Sequence, residues 1–305
     1  MTVKELLFGS SPVLAALKAN RRTLHRLFVY SSNAESSAQS PVVNRNRDAA
    51  ISLAQKLNVK VVKSAKPAGG ASLLNNVTHN GLVLECGPLP QLNIKGLSPV
   101  SRQSETCHNS SYFASVSDKE HVDFDFEASA DPGRIKVPLW LALDQVNDPQ
   151  NLGAIIRTCH FFQVDGIVTT SQSTAPLSPT VSKASAGSLE LYPTLYSTKN
   201  LPSFLQDCKD SGWLVYGTDV SSPTAKVISC WKRPPIESPV ILVMGSEGEG
   251  LRKTVSAKCD KHLLIPNDSV AEIGTLDSDD QSKGILDSLN VSVATGILLT
   301  SLLRK

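Results

Sequence analysis

Three stretches of this sequence hold residues whose types and spacing suit chemistry. The first is Asp144 to Thr158, DQVNDPQNLGAIIRT. An apolar strand ends, a polar turn follows, and a helix starts near Asn151, with Arg157 about one and a half turns in and on another face. A guanidinium there can anchor a phosphate or stabilise negative charge developing on an oxygen. Taken alone, a capped helix with a solvated arginine explains the stretch more simply. The second is Val240 to Lys253, VILVMGSEGEGLRK. A buried strand feeds a glycine-rich turn of the kind that lets backbone N–H groups approach a ligand. Gly245 and Gly250 have the spacing of a phosphate-binding loop, but Leu251 occupies the lysine position and Glu247 lies inside the turn. Phosphate cradling by a lysine-bearing loop thereby fails and Glu247 argues against a polyphosphate, while a plain strand-to-helix turn stays open. The third is Ser288 to Gly296, SLNVSVATG. Ser288, Asn290 and Ser292 bring polar groups to the mouth of an apolar helix, where they read equally as ordinary caps.

The elements that must position these residues follow from hydrophobic patterning. Leu139 to Leu143, Gly166 to Thr170, Gly212 to Gly217, Val240 to Met244 and Leu263 to Pro266 read as buried strands. Helices are expected over Leu152 to Phe162, Ser178 to Ala186 and Leu289 to Leu303. Continuous apolar strands alternating with helices imply an α/β fold with a parallel sheet covered on both faces. The front of the chain, residues 1–87, reads as a second, small α/β domain. Ser11-Pro12 opens a helix through Lys18, and His25 to Tyr30 is a strand. Asp48 to Leu57 is a helix, Val59 to Lys63 a strand, a short helix lies near Ser72, and Gly81 to Cys86 is a strand. Residues 88–138 carry prolines, serines and the acidic run Asp123 to Glu127 without sustained period. They read as a linker, partly disordered. The catalytic part then spans residues 139–305.

Composition narrows the classes. At 305 residues, the chain is long enough for two domains, and 41% hydrophobic residues allow a sizeable core. A net charge of +2 gives no global sign of a nucleic-acid partner, so a basic surface must be local. The best local candidates are Arg21, Arg22, His25 and Arg26, with Arg45 and Arg47 further on; a solvated loop is the plain alternative. No apolar run spans a bilayer. Neither a secretory signal nor an Arg-rich leader stands at the start, so either the protein works where it is made or a leader is missing from this sequence. The six cysteines form no C-x-x-C pair and read as reduced, mostly buried thiols. Cys107-His108 with His121 lacks metal-ligand spacing, so no metal is expected.

In chain order, N-x-G-A-I-I-R-T from Asn151, V-M-G-S-E-G-x-G from Val243 and S-L-N-V-S-V-A from Ser288 resemble the SpoU (TrmH-type) RNA ribose methyltransferases. Lys183 to Glu190, KASAGSLE, resembles that family's K-A-S-A-G-A-L-E stretch, and Leu7 to Leu17 and Asn80 to Val83 resemble its small front domain. The likeness covers essentially all of residues 139–305 and is greatest to the members that modify ribosomal RNA in mitochondria and bacteria. It implies a SPOUT domain with a deep trefoil knot, a small L30e-like RNA-binding domain in front, and a homodimer. It also implies S-adenosylmethionine as cofactor, held by Met244, Gly245, Ser246, Gly250, Ile265, Ser288, Leu289 and Asn290. Catalysis falls to Arg157, with Asn151, Glu247, Asn290 and Ser292 orienting it and the substrate. RNA contacts fall to Arg21, Arg22, Arg26 and Arg45. The implied reaction is 2′-O-methylation of a guanosine in mitochondrial large-subunit rRNA. A tRNA 2′-O-methyltransferase and a non-catalytic, RNA-binding ribosome assembly factor are the competing expectations. One departure stands out: residues 267–287 form a long polar insertion where the family spacing is short, read as a tolerated loop rather than a lid.

Overall fold

Leu139-Trp140-Leu141-Ala142-Leu143 is buried at every position, the pattern of a strand covered on both faces. The computed structural model describes residues 3–30, 40–64, 79–102, 109–117, 119–127, 137–218, 226–232, 236–246, 248–266 and 289–303. In chain order the elements begin with β1 (Glu5–Phe8), α1 (Ser10–Ala19), β2 (Leu24–Tyr30), α2 (Pro41–Lys56), β3 (Lys60–Ser64) and β4 (Leu82–Cys86). Then come β5 (Gly96–Leu97), β6 (Ser101–Arg102), β7 (Asn109–Ser115), β8 (His121–Glu127), β9 (Leu139–Leu143), α3 (Pro149–Phe162) and β10 (Gly166–Thr170). They continue with α4 (Pro179–Ala184), α5 (Ser188–Leu191), β11 (Leu195–Thr198), α6 (Leu201–Asp210), β12 (Leu214–Gly217) and β13 (Val227–Ser229). The last are β14 (Val240–Met244), α7 (Lys253–Ser256), β15 (Lys261–Leu264) and α8 (Val291–Leu303). They fall into two compact units. The first comprises residues 1–90, 148–160 and 175–193; the second comprises 91–147, 161–174 and 194–305.

The first unit is built on a four-stranded sheet of order β1-β4-β2-β3, with β2 and β3 parallel and the other pairs antiparallel. Leu7, Val13, Leu17, Leu27, Leu82 and Leu84 form its core. Sequence periodicity places the second helix at Asp48, whereas α2 begins at Pro41. Its first two turns bury nothing, so they show no apolar stripe, and only Ala50 and Ala54 are buried. The expected short helix near Ser72 lies outside the described residues. Residues 179–192 lie close against two helices of this unit. A Cβ on Gly153 of α3 would sit 2.4 Å from Ala184 Cβ, and one on Gly187 would sit 2.7 Å from Ala15 Cβ of α1. Arg22 is buried between Glu190, with Nε–Oε2 at 2.7 Å and NH2–Oε1 at 3.0 Å, and Glu5, at 2.7 Å.

The second unit contains a seven-stranded sheet of order β11-β10-β9-β14-β12-β15-β13, and every pair in it is parallel. The sequence reading holds for its central strands. It leaves β11 and α6 unassigned, although Leu201, Phe204, Leu205 and Cys208 bury one helical stripe and the Asn200 side chain caps the helix by accepting from Ser203 N at 3.1 Å. Residues 91–127, read as an aperiodic connection, instead carry β5 to β8. The signal is a period of two hidden among polar residues: Tyr112 and Ala114 face inward while Phe113 faces out, and Val122 and Phe124 alternate with exposed Asp123 and Asp125. Tyr112 OH accepts from Trp140 Nε1 at 2.9 Å, and Ser98 O accepts from Trp213 Nε1 at 2.9 Å, so this segment belongs to the core. Gly166 leaves room for the Trp140 ring, which would lie 2.4 Å from a Cβ at that position.

Candidate active site

In a parallel α/β sheet, ligands bind beyond the carboxyl ends of the strands, where helix starts and turns gather. In the second unit this edge carries Thr218 after β12, Met244 at the end of β14 with Gly245 after it, and Ile265 after β15. Met244 is buried, and the chain then closes on itself. Ser246 N donates to Gly250 O at 3.0 Å, and Gly250 N donates to Ser246 O at 3.2 Å. Gly250 has φ 67, a conformation that favours glycine. Gly245 is required for a different reason than the sequence implied: a Cβ there would lie 2.3 Å from the Gly250 carbonyl carbon. The turn's own backbone, before any ligand, excludes a side chain. Glu247, at the tip, lies outside the described residues.

What fixes this turn is a residue that sequence reasoning quoted but did not single out. Asp144 directly follows β9 and is fully buried. Its N–H donates to Met244 O at 2.8 Å, and its carboxylate accepts from Arg252 N at 3.1 Å, Nε at 2.8 Å and NH2 at 2.6 Å. The end of β9 is thereby tied to the end of β14 by a backbone bond, and to Arg252 just past the glycine turn by a charge-assisted fork. The following residue, Gln145, takes a left-handed backbone, φ 62, that is unusual for a side chain of its kind. The available signal was a carboxylate directly after five apolar residues, since a buried acid must find a cation.

At the mouth of α8, Asn290 Oδ1 accepts from Ser292 N at 2.9 Å, Ser292 Oγ at 2.6 Å and Val293 N at 3.4 Å. Asn290 is thus the cap, and Ser292 is held against it. Leu289 before them is half exposed, and Ser288 lies outside the described residues, as do 267–287. Leu298, Leu299 and Leu302 bury one face of α8, while Val293 and Leu303 are exposed.

Asn151 and Arg157 belong to the first unit. Asp148 starts α3, its side chain accepting from Gln150 N at 3.0 Å. Asn151 is buried in the first turn, whereas Arg157, about 120° around the helix, is exposed. The arginine cluster expected to meet RNA divides. Arg22 has no exposed side-chain surface. Burial opposes its charge, but the Glu190 carboxylate more than offsets this and holds the guanidinium above its ordinary pKa. Arg21 NH1 donates to Tyr192 O at 2.6 Å and Glu190 O at 3.3 Å. Arg26 pairs with Glu85 at 2.6 Å and lies over the Phe28 ring. Arg45 is exposed on α2. Arg22 is therefore a buried structural residue, and its place as a surface RNA contact is corrected. Burial pushes the thiols of Cys86 (to about 12), Cys159 and Cys208 up, which leaves them inert. Among the described residues, no cluster of His, Cys, Asp and Glu is arranged for a metal, and no helix is long and apolar enough to cross a membrane.

A parallel sheet with a closed glycine turn on its carboxyl edge and a capped last helix defines an α/β protein with a candidate ligand-binding edge, and comparison with known proteins makes the class specific. Residues 138–273 match the SpoU rRNA Methylase family. The human protein named rRNA methyltransferase 1, mitochondrial, is 33% identical over 98% of this chain and 72% of its own length. The Schizosaccharomyces pombe protein of that name is 30% identical over 98% of this chain and 90% of its own. An AdoMet-bound rRNA methyltransferase from Sinorhizobium meliloti shares the fold, with a TM-score of 0.62 at 19% identity over 98% of this chain and 86% of that one. The chain belongs to the SpoU rRNA methylase family, with the SPOUT fold.

Proposed function

We propose that this protein is an S-adenosylmethionine-dependent ribose 2′-O-methyltransferase of ribosomal RNA that works in mitochondria, on a guanosine of the large subunit. The observation that carries the reading is the closed Gly245–Gly250 turn held by Asp144, in a chain akin throughout its length to proteins named mitochondrial rRNA methyltransferase. The turn fits the cofactor. The neighbouring side chains at the carboxyl edge, Thr218, Met244, Ser246 and Ile265, are uncharged, Glu249 of the turn is exposed and acidic, and the loop has no phosphate-cradling lysine. Such a lining suits a sulfonium nucleoside better than a polyphosphate. Gly245, Ser246, Gly250, Ile265, Leu289 and Asn290 would hold it, and when bound it supplies an electrophilic methyl group.

The chain's own task is to present a ribose 2′-oxygen and help it lose its proton. Arg157 is exposed and free to meet RNA. A guanidinium hardly deprotonates, so its role is to hold the nucleotide's phosphate and stabilise charge growing on the oxygen. Asn151, Glu247 and the Asn290–Ser292 pair are assigned to orienting that exchange. The homodimer is supported by the exposed apolar residues Leu289, Val293 and Leu303 of the last helix region. The C-terminal trefoil knot, and RNA binding by residues 1–87, rest on likeness to the family. The decisive experiment joins calorimetry with tritiated-methyl transfer. Arg157→Ala should keep cofactor affinity and lose turnover, and Arg157→Lys should not restore it, because a point charge cannot replace a bidentate fork. Near wild-type transfer by Arg157→Ala overturns the assignment.

A further inference from the structure

Gly9 stands at the cap of α1 with φ 98, and the place its side chain would fill is taken by Lys183, whose Nζ lies 2.7 Å from a Cβ built there. Lys183 reaches this place from α4, within the first unit. Two more basic groups gather alongside. Arg47 NH2 donates to Tyr30 O at 2.9 Å, and its NH1 lies 3.1 Å from a Cβ built on Gly81, which also has a positive φ, 74. Gly81 N donates to His79 Nδ1 at 3.1 Å, and the His79 ring meets Tyr30 edge-on at 5.4 Å. His79 and Lys183 are near enough that the ammonium adds to burial in holding the imidazole below its ordinary pKa.

Lys183, Arg47 and His79 are all half-buried, and among the described residues none of them has a carboxylate at ion-pair distance. The acids that do form ion pairs in this unit are engaged elsewhere: Glu5 and Glu190 hold Arg22, and Glu85 holds Lys4 and Arg26. Burial alone already lowers the Lys183 pKa. Gathering basic groups out of water without an acid is unfavourable, and an anion arriving from solution relieves it. Glycines at both crowded positions leave room for the Lys183 and Arg47 side chains.

We propose that Lys183, Arg47 and His79 form a binding subsite for a backbone phosphodiester of the RNA substrate. The proposal rests on the reading that this protein acts on RNA, and it moves the contact away from Arg21 and Arg22. Lys183 belongs to the KASAGSLE stretch, so this stretch touches RNA as well as packing the unit.

Binding of a labelled rRNA fragment across a salt series tests it, with Lys183→Gln, Arg47→Gln and, as an exposed control on β3, Lys60→Gln. Each removed phosphate contact should lower the slope of log K against log salt by about 0.7 to 0.9 and weaken binding several-fold. Lys60→Gln should leave the slope as it is, and Lys183→Arg should retain most of the wild-type affinity. Cofactor affinity and circular dichroism, measured on the same preparations, should not change. Wild-type slope and affinity in both Lys183→Gln and Arg47→Gln overturn the subsite. If inorganic phosphate raises the melting temperature, Lys183→Gln abolishes that rise and the RNA slope is unchanged, the cluster serves a free anion and the RNA assignment is wrong. Wild-type protein that neither binds nor methylates rRNA overturns the functional reading itself, and this subsite with it.

Discussion

Replacing Arg22 by Met should unfold the first unit far more easily than its position beside a surface turn implies. The guanidinium has no exposed side-chain surface and Glu190 only 1%. Removing the cation leaves Glu190 with the Ser182 hydroxyl at 2.9 Å and no counter-charge. Stranding one member of a buried pair costs about 3–5 kcal/mol, a large part of the roughly 5–15 kcal/mol that holds a domain. Glu5 should suffer less, being 21% exposed and able to rehydrate. Replacing both charges, Arg22→Met with Glu190→Met, should recover most of the loss, since well-packed apolar substitutes for a buried pair are often neutral or stabilising. Two probes separate the units. All three tryptophans, Trp140, Trp213 and Trp231, belong to the second unit, so urea unfolding followed by tryptophan fluorescence reports on that unit, while far-ultraviolet circular dichroism reports on both. The Arg22 variant should shift the dichroism transition. A loss below about 1 kcal/mol, at the level of an exposed pair, or a double variant no better than the single one, would refute the reasoning.

Gly245→Ala should abolish cofactor binding in calorimetry while leaving circular dichroism unchanged, because the new Cβ meets the Gly250 backbone rather than the core; retained affinity would mean the turn opens at no cost. Asp144→Asn should weaken cofactor binding by about 10-fold to 100-fold, the equivalent of the roughly 1.5–3 kcal/mol that a hydrogen bond to a charged group contributes, and Arg252→Ala should add little on that background. The Glu85 carboxyl is held below its ordinary pKa by the Lys4 hydrogen bond, which together with Arg26 outweighs burial. A depressed carboxyl contributes stability above its unfolded pKa and loses it on acidification. The melting-temperature gap between wild type and Glu85→Gln should therefore be widest near neutrality and close as pH falls below about 4.5; a gap independent of pH would exclude this linkage.

The central strands were legible because burial on both faces leaves nothing but apolar residues, as in Leu139 to Leu143 and Val240 to Met244. Strands β7 and β8 were not, since their inward aromatics are diluted by serines and aspartates facing water. The candidate site was legible as motifs and not as mechanics. Gly245 was recognised, but its reason, a backbone 2.3 Å from any side chain there, exists only after folding. Arg22 and Arg21 looked alike in sequence to exposed Arg45, and nothing local foretells that Glu190, far along the chain, buries one of them. Lys183 was read as part of a motif, and its nearness to Gly9 came only with the structure.

The strand order carries a consequence for how the protein is made. β14 lies between β9 and β12, yet it follows β9 by about a hundred residues. On the ribosome, Leu139–Leu143 and Leu214–Gly217 emerge first, each with an unpaired edge on the side where β14 belongs. Until Val240–Met244 slots between them, the nascent sheet is two apolar fragments open to wrong partners. Such late, non-local pairing is slow. It also sets an order of events. The Asp144 fork to Arg252 forms only once that central strand is seated, so the Gly245–Gly250 turn cannot take shape on a half-built sheet.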